Sequence, residues 1–252
     1  MPPVVHCSPT DILFIADVHL SPHRPATVAH FVRFLGERAR QAQQLYILGD
    51  LFDAWIGDDD ETPLNLQVMA ALRELTAAGV DCALLPGNRD FLLGRRFFRH
   101  TGCRRVPDFT QILCAGEPTL LMHGDLLCTD DVAYQRFRRR VRNPLLQQLF
   151  LWKSLARRRE IAEQYRRTSV TATAHKPTPV MDVNPLTVKE LMRRFAATRL
   201  IHGHTHRPDA HRLWLDGQPA QRMVLASWDE VTGGEVLAFA PSTGKWWREL
   251  VI

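Results

Sequence analysis

"DILFIAD" (residues 11–17) carries five apolar residues between two carboxylates, and its far end stops on Asp17. So short a run bounded by polar residues predicts a strand buried on both faces, with a functional end. The same figure returns in "LYILGD" (45–50), "VDCALLPGNRD" (80–90), "PTLLMHGD" (118–125) and "TRLIHGHTH" (198–206). Between the first three runs lie two stretches of helical spacing. "PATVAHFVRFLGERARQAQQ" (25–44) places Val28, Phe31, Val32 and Leu35 on one face, and 61–79 closes on Gly79. Strands alternating with helices predict an α/β sandwich. After Thr205, "HRLWL", "QRMVLAS", "GEVLAFA" and "KWWREL" predict antiparallel strands that complete a second sheet.

Residues 128–185 break this rhythm. They lack strand patterning and carry an apolar stripe at Leu145, Leu149, Trp152 and Leu155 or Ala156. Asn143-Pro144 has the form of a helix start. The segment is expected to be a helical cap, with residues 1–127 and 186–252 forming the body.

The chain has 252 residues, 45% of them hydrophobic, enough for a sizeable core. Its five cysteines are scattered without a Cys-x-x-Cys pair, which suggests free thiols in a reducing compartment. "MPPVVHCSPTD" does not read as a secretory signal, and no run of about 18 apolar residues occurs. A cytoplasmic chain is expected. The net charge of +5 is unevenly placed. Residues 136–167 hold eleven Lys/Arg against two Glu, a local +9 that leaves −4 elsewhere. Such an excess points to an anionic partner: nucleic acid, a membrane surface or a phosphorylated substrate. An ordinary solvated helix face gives the same pattern.

Each strand run ends in polar residues: "ADVHL", "LGDLFD", "PGNRD", "MHGD" and "IHGHTH". Singly these are turn chemistry or packed histidines. Together they deliver carboxylates, histidines and an amide to the carboxyl ends of strands, where α/β folds bind ligands. That donor set suits a pair of divalent cations, with Mn²⁺, Fe²⁺ or Zn²⁺ all compatible.

These blocks, D-x-H, G-D-x-x-D, G-N-R-D, a later His and G-H-x-H, occur in order across residues 17–206. The chain thereby resembles the calcineurin-like metallophosphoesterases. The resemblance implies a four-layer α-β-β-α sandwich with a helical cap insertion, and two cations, Mn²⁺ by preference. Asp17, His19, Asp50 and His206 would hold one metal. Asp50, Asn88, His123 and His204 would hold the other, with Asp50 bridging. His202 would face the core or stand behind the ligands, and Asp53 and Asp125 would stand behind the ligands. Catalytic roles fall to Asp50, Asn88 and Arg89.

Where most of the family has His after the metal-binding Asn, this chain has Arg89. With the basic insertion and "VMDVNP" (180–185), that points to a branch acting on an acylated UDP-sugar of lipid A biosynthesis. The resemblance implies water attack on the α phosphorus, giving UMP and an acylated sugar 1-phosphate. Substrate contacts would come from Asn88, Arg89, Asp131, Ser169, Thr173, Lys176 and His204, with Tyr134 and Arg166 beside them. Thr173 replaces the branch's usual Asn. Leu145, Leu146, Leu149, Phe150 and Trp152 would line an acyl cleft or rest on a bilayer, and arginines would meet anionic headgroups. A monomer on the cytoplasmic face of the inner membrane, with no nucleic-acid partner, is the expectation. A nucleic-acid phosphodiesterase on the same fold, or a non-catalytic lipid-binding scaffold, are the competing readings.

Overall fold

The computed structural model describes residues 4–6, 11–174 and 182–251, with side chains from 11–168 and 182–251. Among the described residues, twelve strands in two sheets stand between helices. One sheet takes β2 (Ile12–Ile15), β3 (Gln44–Ile47), β4 (Asp81–Leu84) and β5 (Arg104–Arg105) in parallel, with β11 (Gly234–Ala240) antiparallel to β2 and β12 (Lys245–Val251) antiparallel to β11. The other has the order β1 (Val4–His6), β6 (Thr110–Cys114), β7 (Glu117–Leu121), β8 (Arg199–His202), β10 (Gln218–Val224), β9 (Asp209–Leu215).

Alternation along each strand builds the layers. Leu13, Ile15, Leu45 and Ile47 face α1 (Pro25–Gly36), α2 (Pro63–Ala77) and α3 (Arg95–Thr101), meeting Phe31, Leu72 and Phe97. Phe14, Tyr46 and Leu48 face the other way, against Ile112, Leu121 and Ile201 of the second sheet. The far side of that sheet buries Leu120 and Leu200 under Val188 and Met192 of α7 (Pro185–Arg194). The result is helix, sheet, sheet, helix.

Several expectations shift. The helix from residue 25 ends at Gly36 rather than 44, and a short 3₁₀ turn (Ala39–Gln41) follows. Beyond Leu35 the apolar spacing stops, so nothing holds the helix to the sheet. The four C-terminal strands do not complete one sheet. β9 and β10 extend the second sheet, with β10 parallel to β8, while β11 and β12 extend the first. The strand expected within 118–125 is β7; its hairpin partner β6, joined to it by a turn at Ala115 and Gly116 with positive φ, and helices α3 and α7 were not anticipated.

In the 128–185 segment stand α4 (Val132–Val141), α5 (Pro144–Leu151) and α6 (Leu155–Ala174). Asn143 caps α5 by accepting the Leu145 N–H at 2.9 Å, ahead of Pro144. The expected stripe is not packed: Leu145 is 75% and Trp152 73% exposed, and Leu149 is exposed beside them. Leu146 and Phe150, on the neighbouring face, line a cavity instead.

The four cysteines with described side chains, Cys82, Cys103, Cys114 and Cys128, are buried. No helix among the described residues is long and apolar enough to cross a membrane.

Candidate metal centre and cavity

The loops after β2 and β3 run side by side, tied by His19 N–H to Asp50 O at 3.0 Å and Leu20 N–H to Leu51 O at 2.9 Å. On the second sheet, the Gly203 N–H donates to His123 O at 2.9 Å. These ties carry the ends of five strands to one edge. Asp17, His19, Asp50, His204 and His206 all sit at positive φ, between 51° and 69°. For non-glycine residues this backbone is costly and collects at functional sites.

Donor atoms converge there. Those of Asp17, His19 and His206 lie within 4.8 Å of one another, as do those of Asp17, Asp50 and His123. His19 and His206 bring their Nε2 atoms to 3.2 Å, and His206 Nε2 is 3.4 Å from Asp17 Oδ1. Asn88 Oδ1 lies 2.8 Å from His123 Nε2 and 2.9 Å from His204 Nδ1. Asp50 faces both groups, with Oδ2 3.9 Å from His19 Nε2 and Oδ1 3.7 Å from His123 Nε2. His202 is fully buried to one side, its Nε2 accepting from Arg222 and its Nδ1 donating to Gly203 O at 2.8 Å.

Surrounding bonds fix these orientations. Asp17 Oδ2 accepts the His204 N–H at 2.7 Å, and Asp50 Oδ1 accepts the Arg89 N–H at 2.8 Å. The Leu48 carbonyl, 2.9 Å from His123 Nδ1, accepts its proton and turns the Nε2 lone pair to the site. Asp90 accepts from Leu51 N–H and Gly87 N–H, both at 2.7 Å, shaping the turn that presents Asn88. A Cβ on Gly87 would run into the Asp50 carboxylate, and one on Gly49, at φ 93°, would meet His123 Nδ1 at 2.6 Å.

The set fits divalent cations. Asp17 Oδ1 is buried without a hydrogen-bond partner, which is costly unless a cation takes it. Burial pulls His19 down to about 3, against the Asp17 charge, and His204 to about 4, so both are neutral with lone pairs free. For Asp17, burial is outweighed by the nearby His206, His123 and His19, which hold it at about 2. Burial, with the charges of Asp90 and Asp17, raises Asp50 to about 7. His123 rises to about 9, because Asp50, Asp17 and Asp125 overcome its burial. Protons thus hold places that a cation would take over.

Beside this centre opens a cavity of about 720 Å³, bounded by Asn88, Arg89 and Tyr134 at the donor end. Trp55, Phe91, Phe137 and Ile161 make its walls largely apolar. Of the expected substrate contacts, Asn88, Arg89, Tyr134 and Arg166 line it. His204 sits at its edge, its ring 5.8 Å from that of Tyr134. Asp131 is not among the lining residues; its carboxylate caps α4, accepting the Tyr134 N–H at 3.0 Å. Ser169 and Thr173 fall on α6 with side chains outside those described, and Lys176 lies outside the described residues.

The local +9 is only partly turned outward. Arg138 binds Asp125 at 2.6 Å and Asp108 at 2.9 Å, and Arg142 donates to the Pro86 and Gly87 carbonyls. Arg158 is buried against Asp59 and the Ile56 carbonyl, Arg159 pairs with Asp60, and Arg166 pairs with Asp53. Asp125 also accepts the Tyr134 hydroxyl at 2.8 Å. These arginine contacts were missed from sequence. The acidic run "DDDE" (58–61) facing the arginine run 157–159 is the signal that could have found them.

The chain belongs to the calcineurin-like phosphoesterase family, whose pattern it matches over residues 10–208. Members of that family use divalent metals, and the candidate ligands here are of the right kind. Among its relatives is the UDP-2,3-diacylglucosamine hydrolase of Salmonella arizonae, 51% identical over 86% of this chain and 90% of that protein. Proteins of the same name from Serratia proteamaculans and an Enterobacter strain are each 50% identical over the same shares.

Proposed function

We propose that the chain hydrolyses the diphosphate of UDP-2,3-diacylglucosamine at the α phosphorus, releasing UMP and 2,3-diacylglucosamine 1-phosphate. What carries the reading is one juxtaposition. Seven oxygen and nitrogen donors meet at the mouth of a largely apolar cavity, and Arg89 stands between them. A diphosphate joining a nucleotide to an acylated sugar needs both halves of that arrangement. The relatives named for this activity support it.

Two cations, Mn²⁺ by donor type and family resemblance, would be held by Asp17, His19, Asp50 and His206, and by Asp50, Asn88, His123 and His204. Bound divalent cations supply Lewis acidity toward phosphoryl oxygens and lower the pKa of water at the site. The remaining work belongs to side chains. Arg89 offers a planar guanidinium that stabilises phosphate charge. A phosphate leaving group needs little protonation, so the absence of the family's usual His costs nothing here. Tyr134, its hydroxyl donating to Asp125, sets its ring beside that of His204. No protein nucleophile is required.

The apolar walls take the acyl chains. Leu145, Leu149 and Trp152, on the outer face of α5, rest on the cytoplasmic face of the inner membrane, with exposed Arg136 and Arg139 toward anionic headgroups. Product analysis in ¹⁸O-water tests the reaction. Label in UMP is expected; label in the sugar phosphate moves the attack to the other phosphorus, and cleavage of single-stranded DNA alone replaces the substrate.

A further inference from the structure

Asp53 is the sole acidic residue among the described residues lining the cavity; the other charged ones are Arg89, Arg140, Lys153 and Arg166. A carboxylate in the path of a diphosphate repels it, so its presence calls for a reason. Its backbone is fixed, the Asp53 N–H donating to Leu20 O at 3.1 Å. Its Oδ2 lies 2.9 Å from one terminal nitrogen of Arg166, across the cavity on α6.

Arg158, two turns earlier on α6, offers a contrast. That guanidinium is buried and spends Nε and both terminal nitrogens on Lys153 O, Ile56 O and the two oxygens of Asp59. It is an anchor, with four of its five N–H donors spent on the protein. Arg166 is half-exposed, lines the cavity and spends one nitrogen on Asp53. A guanidinium has five N–H donors in a rigid fork, so a carboxylate gripping one edge leaves the rest for a second anion. Without that grip, a long side chain on a helix held at its base has many rotamers to lose on binding.

We propose that Asp53 is a positioning residue. It holds the Arg166 guanidinium at the cavity wall so that its remaining N–H groups take a phosphate oxygen of the substrate. This rests on the diphosphate reading above. The competing role, a carboxylate that must be displaced from Arg166 before substrate enters, predicts the opposite sign.

Kinetics with UDP-2,3-diacylglucosamine on wild type, Asp53→Asn, Asp53→Ala, Arg166→Ala and the Asp53→Ala/Arg166→Ala pair decide it. Positioning predicts a KM raised about tenfold in each single variant, with the loss falling on KM more than on kcat. The double variant should be no worse than Arg166→Ala. Metal content and thermal melting of the Asp53→Asn protein should match wild type, which separates positioning from misfolding. A KM that falls in the Asp53 variants, or losses that multiply in the double variant, overturns the proposal. If wild type releases no UMP, the substrate reading fails by itself. Pyrophosphate affinity, measured by calorimetry on the same proteins, then tests the pair, and equal affinity in wild type and Asp53→Ala overturns it.

Discussion

Asp17 Oδ2 accepts the backbone N–H of His204 at 2.7 Å, although 187 positions separate the two residues. One carboxylate oxygen thus pins the loop that carries two histidines, and the other, Oδ1, is left for a cation. Asp17→Asn keeps the size of the side chain and removes its charge. Turnover should fall by about a hundredfold or more, and bound metal should drop with it, as read by elemental analysis of the purified variant. A variant with full metal content and near-normal rate would mean that Asp17 serves the loop alone.

Arg89 separates metal binding from rate. Its backbone N–H holds Asp50, while its side chain faces the cavity. Arg89→Ala keeps the N–H, so metal content should be retained while kcat/KM falls on the order of a hundredfold. Loss of metal in this variant would place the guanidinium among the groups that hold the site.

Gly87 packs its Cα where a methyl group would strike the Asp50 carboxylate. Gly87→Ala should therefore lower metal affinity and cost on the order of 1–3 kcal/mol of stability through overpacking. Thermal melting with and without Mn²⁺ reads both. An unchanged metal-induced rise in Tm would show that the turn can yield.

The metal-free protein should respond to pH in a defined direction. Asp50 at about 7 and His123 at about 9 both bind protons more tightly folded than unfolded. The stability this gives is complete below the unfolded values near 4 and 6.5, and is lost as pH rises through the folded ones. Metal-free protein should thus melt lower at pH 9 than at pH 6. Mn²⁺ affinity should move the opposite way, rising across that window, with proton release on binding. Calorimetry in buffers of different ionisation enthalpy measures that release, and a pH-independent affinity would contradict the assignment.

On the outer face of α5, Trp152→Ser with Leu149→Ser should weaken binding to anionic vesicles by about tenfold or more, while leaving hydrolysis of detergent-dispersed substrate near wild type. Equal vesicle binding would leave that stripe without a membrane role.

Much of the body was legible because burial on both faces forces continuous apolar runs. Ile12–Ile15, Gln44–Ile47 and Arg199–His202 all lie where such runs ended in Asp or His. The ligand blocks were legible for a related reason, since chemistry at a strand end needs particular residues at fixed offsets. Two things were not. The split of the last four strands between sheets depends on β10 finding β8 as a parallel neighbour, a long-range choice that alternation does not encode. The direction of the helical arginines also escaped, because charge counting cannot distinguish a residue facing solvent from one turned inward onto Asp59 or Asp125. α5 shows the same limit: Leu149 and Phe150 are adjacent in sequence, yet one is exposed and the other partly buried in the cavity wall.

The Arg158 guanidinium is boxed in by carbonyls and Asp59 at the foot of α6. Pulling it out would strand a charge in a place water does not reach, at a cost no passing ligand repays. A ligand entering the chamber therefore meets that corner of α6 as a fixed wall.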